Sequence, residues 1–173
     1  ADGSESRVRY SYDAAGRLLQ QIDPRGIVTG YAYDGLGRTI SVTGYGADGS
    51  VGRQTVTTYD DAQSQVQTTF ANGLKRVATF DRRGLLLTQA DQDGTGTLSA
   101  TSYQYDADGR LRVTTDPNGN KTYFLYDSEG RKVATIDAGG GLTETVYNND
   151  GQVVRTIAYA NAVTANVAAL FAA

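Results

Sequence analysis

The 173-residue chain contains no histidine, cysteine, tryptophan or methionine, and only two prolines. Without His or Cys, a His-dependent catalytic triad is excluded, as is zinc, haem or iron–sulfur ligation through those residues, and no disulfide can form. Without Met, residue 1 is not a start-codon product, and the chain reads as a mature form or an excised piece of something larger. No stretch approaches 18 apolar residues, so no membrane-spanning helix is expected. Sixteen basic residues meet 19 acidic ones for a net charge of −3 and a pI near 4.9. That balance lacks the basic surplus needed to displace counterions from nucleic acid, which is therefore not an expected partner. Leu, Ile, Val and Phe together are sparse, about a fifth of the residues, a level at which disorder becomes a concern. Disorder also needs strong self-repulsion, which so small a net charge does not supply, so a folded chain with a thin core is expected. Twelve Tyr with many Val and Thr favour strands, and 21 Gly favour frequent turns.

What is present is a repeat. Tyr12-Asp13, Tyr33-Asp34, Tyr59-Asp60, Phe80-Asp81, Tyr105-Asp106, Tyr126-Asp127 and Tyr147-Asn148 form one series at a basic period of 21 residues, with insertions in the second and fourth copies. Three residues after the Asp stands Gly16, Gly37, Gly84, Gly109, Gly130 or Gly151, with Gln63 as the exception, and Arg17, Arg38, Arg110 and Arg131 follow directly. Asp at the first position of a turn can cap the following backbone N–H groups, and Gly at the fourth can take positive φ and return the chain to a strand. A second turn recurs ten residues on, as Asp23-Pro24-Arg25-Gly26 and Asp116-Pro117-Asn118-Gly119, with weaker versions at Phe70-Ala71-Asn72-Gly73 and Asp137-Ala138-Gly139-Gly140. The six or seven residues between turns suit strands and are too short for helices.

The expected fold is all-β, an antiparallel array of β-hairpins with about seven repeats and roughly fourteen strands over residues 1–157, curling into a wall or coil. The two insertions, residues 44–54 and 91–100, are rich in Gly, Asp, Ser and Thr and are expected to be loops projecting from one rim. Residues 158–173 are Ala-rich, and Val163, Val167, Leu170 and Phe171 recur at helical spacing, which predicts a short amphipathic helix capped by Asn161 or Thr164.

The string Tyr-Asp-x-x-Gly-Arg, then Asp-Pro-x-Gly, then Thr-x-Tyr-x-Tyr-Asp, read from Tyr12 to Asp34, resembles the YD repeat of the RHS family, and the resemblance extends over about residues 8–157. It implies a ribbon of β-hairpins spiralling into a hollow shell, as in bacterial polymorphic toxins, insecticidal toxin complexes, wall-associated proteins and teneurins. It further implies a bacterial, secreted or cell-surface parent whose neighbouring repeats or cargo domain are the partners. The chain carries no recognisable toxin domain.

Structural roles are expected for the repeated residues Tyr12, Asp13, Gly16, Arg17, Tyr33, Asp34, Gly37, Arg38, Tyr105, Asp106, Gly109, Arg110, Tyr126, Asp127, Gly130 and Arg131. The tyrosines read as ladders between hairpins, with Tyr10, Tyr31, Tyr103 and Phe124 two residues earlier as a second, partial one. The arginines read as partners of turn aspartates in adjacent units and of aromatic faces. Asp91 and Asp93 are the best-placed candidates for structural calcium, although no Glu completes an EF-hand loop and no cofactor is otherwise expected. Repeated aspartates are architectural more often than catalytic, so no enzyme is expected. The leading functional reading is a non-catalytic scaffold or encapsulating shell segment. The alternative is an extracellular adhesin or self-assembling filament subunit, binding glycans or other chains through exposed sheet edges.

Overall fold

The structure, a computed structural model, describes residues 6–163. Those residues are all-β. The first seven strands are β1 (Arg9–Tyr12), β2 (Leu18–Ile22), β3 (Val28–Tyr33), β4 (Thr39–Tyr45), β5 (Val51–Asp60), β6 (Gln65–Thr69) and β7 (Lys75–Phe80). The second seven are β8 (Leu86–Asp93), β9 (Gly96–Tyr105), β10 (Leu111–Thr115), β11 (Lys121–Tyr126), β12 (Lys132–Ile136), β13 (Leu142–Tyr147) and β14 (Val153–Ala158). They form one open sheet in sequence order, so that β1 and β14 each have a single neighbour. The chain also divides into two compact units. The first runs up to Thr79 and includes Asp91–Leu98, and the second takes Phe80–Ala90 and continues from Ser99.

One turn type generates most of this order. In eleven of the thirteen connections the first residue's N–H donates to the carbonyl four residues on, and its carbonyl accepts from the turn glycine, as at Asp127 N to Arg131 O and Gly130 N to Asp127 O, both 3.0 Å. Gly130 has φ +80°, in the left-handed region where a Cβ would be strained. The register shifts by one residue beside several of these turns, for instance between Leu125 and Tyr126 against β12, as a glycine bulge requires.

Two expectations are corrected. Residues 44–54 and 91–100 are for the most part not loops. β4 and β5 stay paired out to Tyr45↔Val51 and are closed by a turn in which Gly49 N donates to Gly46 O. β8 likewise runs to Asp93, and β9 starts at Gly96 after a two-residue turn. Backbone groups in a hairpin satisfy each other, so even Gly- and Asp-rich insertions lengthen the ladder. The helix expected over 158–173 is not present in its described part. Ala158 ends β14, Tyr159 N donates to Leu142 O, and Val163 N donates to Gly140 O, which lays residues 159–163 beside β13 and the turn before it. Residues 164–173 lie outside the described residues.

The core is thin. Among the described residues Val77, Val113 and Ile136 are the buried apolar side chains, 4–8% exposed, joined by Thr43 at 6%. Val113, mid-strand in β10, and Ile136, at the end of β12, share one cross-strand row, Val113↔Tyr123↔Ile136↔Leu142, in the second unit. A single row of this kind, half-covered elsewhere, leaves much of the stabilisation to the ladder and to side chains that tie one hairpin to the next.

Candidate functional site

The side chains that recur most faithfully meet at the turns. Asp127 Oδ1 accepts from the backbone N–H of Glu129 (3.0 Å) and Arg131 (2.9 Å), while its Oδ2 accepts from Arg131 Nε at 2.7 Å. Asp13, Asp34 and Asp106 have the same pairing with Arg17, Arg38 and Arg110, with Nε–Oδ2 distances of 2.6, 2.7 and 2.8 Å. These arginines therefore pair first with the aspartate of their own turn rather than that of an adjacent unit, because residue i+4 of the hairpin returns directly opposite residue i. Arg38 does both, since it also reaches Asp61 at 2.6 Å.

The guanidinium then lies over the aromatic ring of the next repeat. Arg17 sits 4.9 Å from the Tyr33 ring centre, Arg38 4.2 Å from Tyr59, Arg110 5.5 Å from Tyr126 and Arg131 4.9 Å from Tyr147. Each of those tyrosines donates its hydroxyl to the carbonyl of the residue just after the arginine. Tyr33 bonds Leu18 O (2.8 Å), Tyr59 Thr39 O (3.1 Å), Tyr126 Leu111 O (2.9 Å) and Tyr147 Lys132 O (3.0 Å). Tyr105 does the same to Leu86 O (2.9 Å), although Leu85 stands there in place of arginine. Aspartate, arginine and tyrosine thus form a complete latch at four places, Asp13-Arg17-Tyr33, Asp34-Arg38-Tyr59, Asp106-Arg110-Tyr126 and Asp127-Arg131-Tyr147. The sequence marks all three residues, but nothing in it marks the backbone carbonyl that completes them.

Electrostatics follow the hydrogen bonds. The Arg17 backbone N–H is the main influence holding the Asp13 carboxyl below its ordinary value, and the Arg38 side chain is the main influence on Asp34. At Asp106 and Asp127 desolvation pushes upward, yet the hydrogen bonds from Arg110 and Arg131 together outweigh it and both remain lowered. A carboxylate held ionised accepts protons poorly and donates hydrogen bonds not at all, which suits a cap. Asp91 is gripped by Arg76 through two bonds of 2.7 and 3.0 Å, and Asp93 Oδ1 accepts from the N–H and hydroxyl of Thr95 at 2.7 and 2.6 Å. Among the described residues no group of three or more acidic, His or Cys side chains is arranged to hold a metal ion.

The latch is incomplete elsewhere as well. The fifth turn has Gln63 and Ser64 where others have Gly and Arg, and Ser64 takes φ +51°. Tyr12, first of the series, is 58% exposed, with no earlier hairpin among the described residues for it to grip.

The sequence model of a family described as RHS Repeat matches residues 1–27, 12–51, 80–121 and 105–143. Among solved structures, the crystal structure of TcdB2-TccC3 aligns with 87% of this chain at a TM-score of 0.70 and 21% identity, the match covering 9% of that chain. The Photorhabdus luminescens Tc holotoxin pore aligns with 91% of this chain at a TM-score of 0.55 and 15% identity, covering 11% of that chain. At these identities the likeness is one of fold, and this chain spans about a tenth of the length of either neighbour.

Proposed function

Because the chain belongs to the RHS repeat family, we propose that it is a non-catalytic structural segment, part of the wall of a secreted toxin or delivery protein. The observation that carries this reading is the use made of the repeated side chains. In the units that carry all four, Asp, Gly, Arg and Tyr are engaged in closing a turn or joining it to the next hairpin. The fold likeness to TcdB2-TccC3 and to the Tc holotoxin pore agrees with it, and the adhesin alternative gains nothing comparable. In this reading the partners are further repeats of the parent and the domain it encloses. Right-handed strand twist accumulated over many strands curls such a sheet, which suits it to a wall. This reading calls for no metal, and on it the melting temperature is expected to be the same in chelator and in millimolar calcium. A calcium-dependent rise would instead support Asp91 and Asp93 as ligands.

The direct test is negative-stain electron microscopy of the purified chain with its solution mass measured across a wide concentration range. Monomeric arcs are the expected result. Regular filaments or closed rings would replace the wall with a self-assembling subunit.

A further inference from the structure

The two outermost strands carry the repeat's pattern without the neighbour that completes it. Among the described residues β1 pairs with β2 alone and β14 with β13 alone, and all of β1 is exposed. Tyr12 ends β1 as Tyr33 ends β3. Tyr33 has Arg17 over its ring and Leu18 O on its hydroxyl, whereas Tyr12 finds neither kind of partner among the described residues. Arg9, three residues before Tyr12, likewise makes no hydrogen bond or ion pair there.

The register of the internal junctions says what would face each of these side chains. The residue seven after the turn aspartate stands opposite the one three before the next tyrosine, as in Gln20↔Gly30, Val113↔Tyr123 and Ala134↔Glu144. None of these pairs opposes like charges. The simplest mate for the β1 edge is β14 of a second copy. Continued in the same register, that strand sets its Arg155, seven after Asn148, directly against Arg9. Like charges directly opposite destabilise an antiparallel pair. The Tyr12 ring would fall beside Gln152, which replaces the turn arginine, bonds Asn148 and offers no guanidinium. The two edges are therefore not made for each other, and an opposed charge is one way a bare edge is kept from pairing with its own kind.

We infer that the β1 edge receives an antiparallel strand that follows an Asp-x-x-Gly-Arg turn and carries a carboxylate opposite Arg9. The arginine of such a turn covers the Tyr12 ring, and the carbonyl just after it accepts from the Tyr12 hydroxyl, as Arg17 and Leu18 do for Tyr33. The carboxylate pairs with Arg9 across the strands, and the outward N–H and C=O groups of β1 find their ladder. This rests on the wall reading, in which further repeats of the parent are the partners. It adds the chemistry by which one of them is told from a second copy of this chain.

The test turns β14 into the strand that the β1 edge lacks. In the full chain, Asn148→Asp with Gln152→Arg rebuilds the turn, and Arg155→Glu sets a carboxylate opposite Arg9 of the next copy. Sedimentation velocity across a wide concentration range is expected to show the unmodified chain as a monomer and the triple variant growing head to tail, its weight-average mass at least doubling. Adding Tyr12→Ala and Arg9→Glu to the triple variant should return it to a monomer. Arg9→Glu alone, which opposes a carboxylate to the native Arg155, should also self-associate, and it decides the matter if circular dichroism shows the triple variant unfolded. A folded triple variant that stays monomeric, or one that assembles whether or not Tyr12 and Arg9 are changed, overturns the inference. The wall reading survives either result, because it is judged on the unmodified chain.

Discussion

At the scale of single residues, what distinguishes this chain is that a tyrosine hydroxyl does the work usually left to core packing. Tyr126→Phe removes the donor to Leu111 O and leaves a half-buried carbonyl short of a partner, a loss of about 1 kcal/mol in denaturant unfolding. Tyr12→Phe, exposed and first in the series, should change nothing measurable, which makes it the internal control. The turn between β13 and β14 shows how the ion pair can be replaced. Asn148 Oδ1 still accepts from the N–H groups of Asp150 and Gln152, while its amide donates to Gln152 Oε1 at 3.0 Å. Asp127→Asn alone strands Arg131 beside a neutral amide, whereas Asp127→Asn with Arg131→Gln rebuilds the Asn148 arrangement. The double variant is therefore expected to melt higher than Asp127→Asn, and a lower melt would show that the charge itself is required. These pairings were only partly legible beforehand. Asp, Gly and Arg announce a capped turn, but whether Arg reaches its own aspartate or a neighbour's depends on a bulge that spacing does not display.

At the scale of strands and turns, legibility was greater. Turn residues recurring at short intervals leave segments of one length, and that length admits strands alone, so the fourteen strands follow directly. The misreading of residues 44–54 and 91–100 has a physical source. Gly, Asp, Ser and Thr disfavour strands when judged singly, but a strand already hydrogen-bonded along its length extends wherever its partner extends too, as Tyr45↔Val51 does. The fifth turn offers the clearest test of turn chemistry. Ser64 holds φ +51°, whereas the positive-φ residues of the other turns are glycines, and a Cβ in that region is strained by about 1 kcal/mol. Ser64→Gly should raise the melting temperature, and a drop would mean that the serine side chain stabilises the turn in a way its backbone angle conceals.

At the scale of the whole molecule, many similar carboxylates act together. Asp13, Asp23, Asp34, Asp81, Asp106, Asp116 and Asp127 are all lowered from the ordinary 3.8 by hydrogen bonds made in the folded chain. As pH falls, the unfolded chain takes up protons first, so the stability these groups contribute is complete above their unfolded value and lost as pH drops through the folded one. The melting temperature should be level from neutrality to about pH 5 and fall steadily below about pH 4. A flat profile to pH 2 would deny the turn carboxylates their part. The latch, finally, has a direction. Each of these five latch hydroxyls, on Tyr33, Tyr59, Tyr105, Tyr126 and Tyr147, lies 15 to 20 residues downstream of the carbonyl it grips. A chain leaving the ribosome amino end first thus presents each acceptor before its donor is made, and every new hairpin can close on one already in place. Such short loops are quick to close, so the wall can be laid down course by course at the pace of translation.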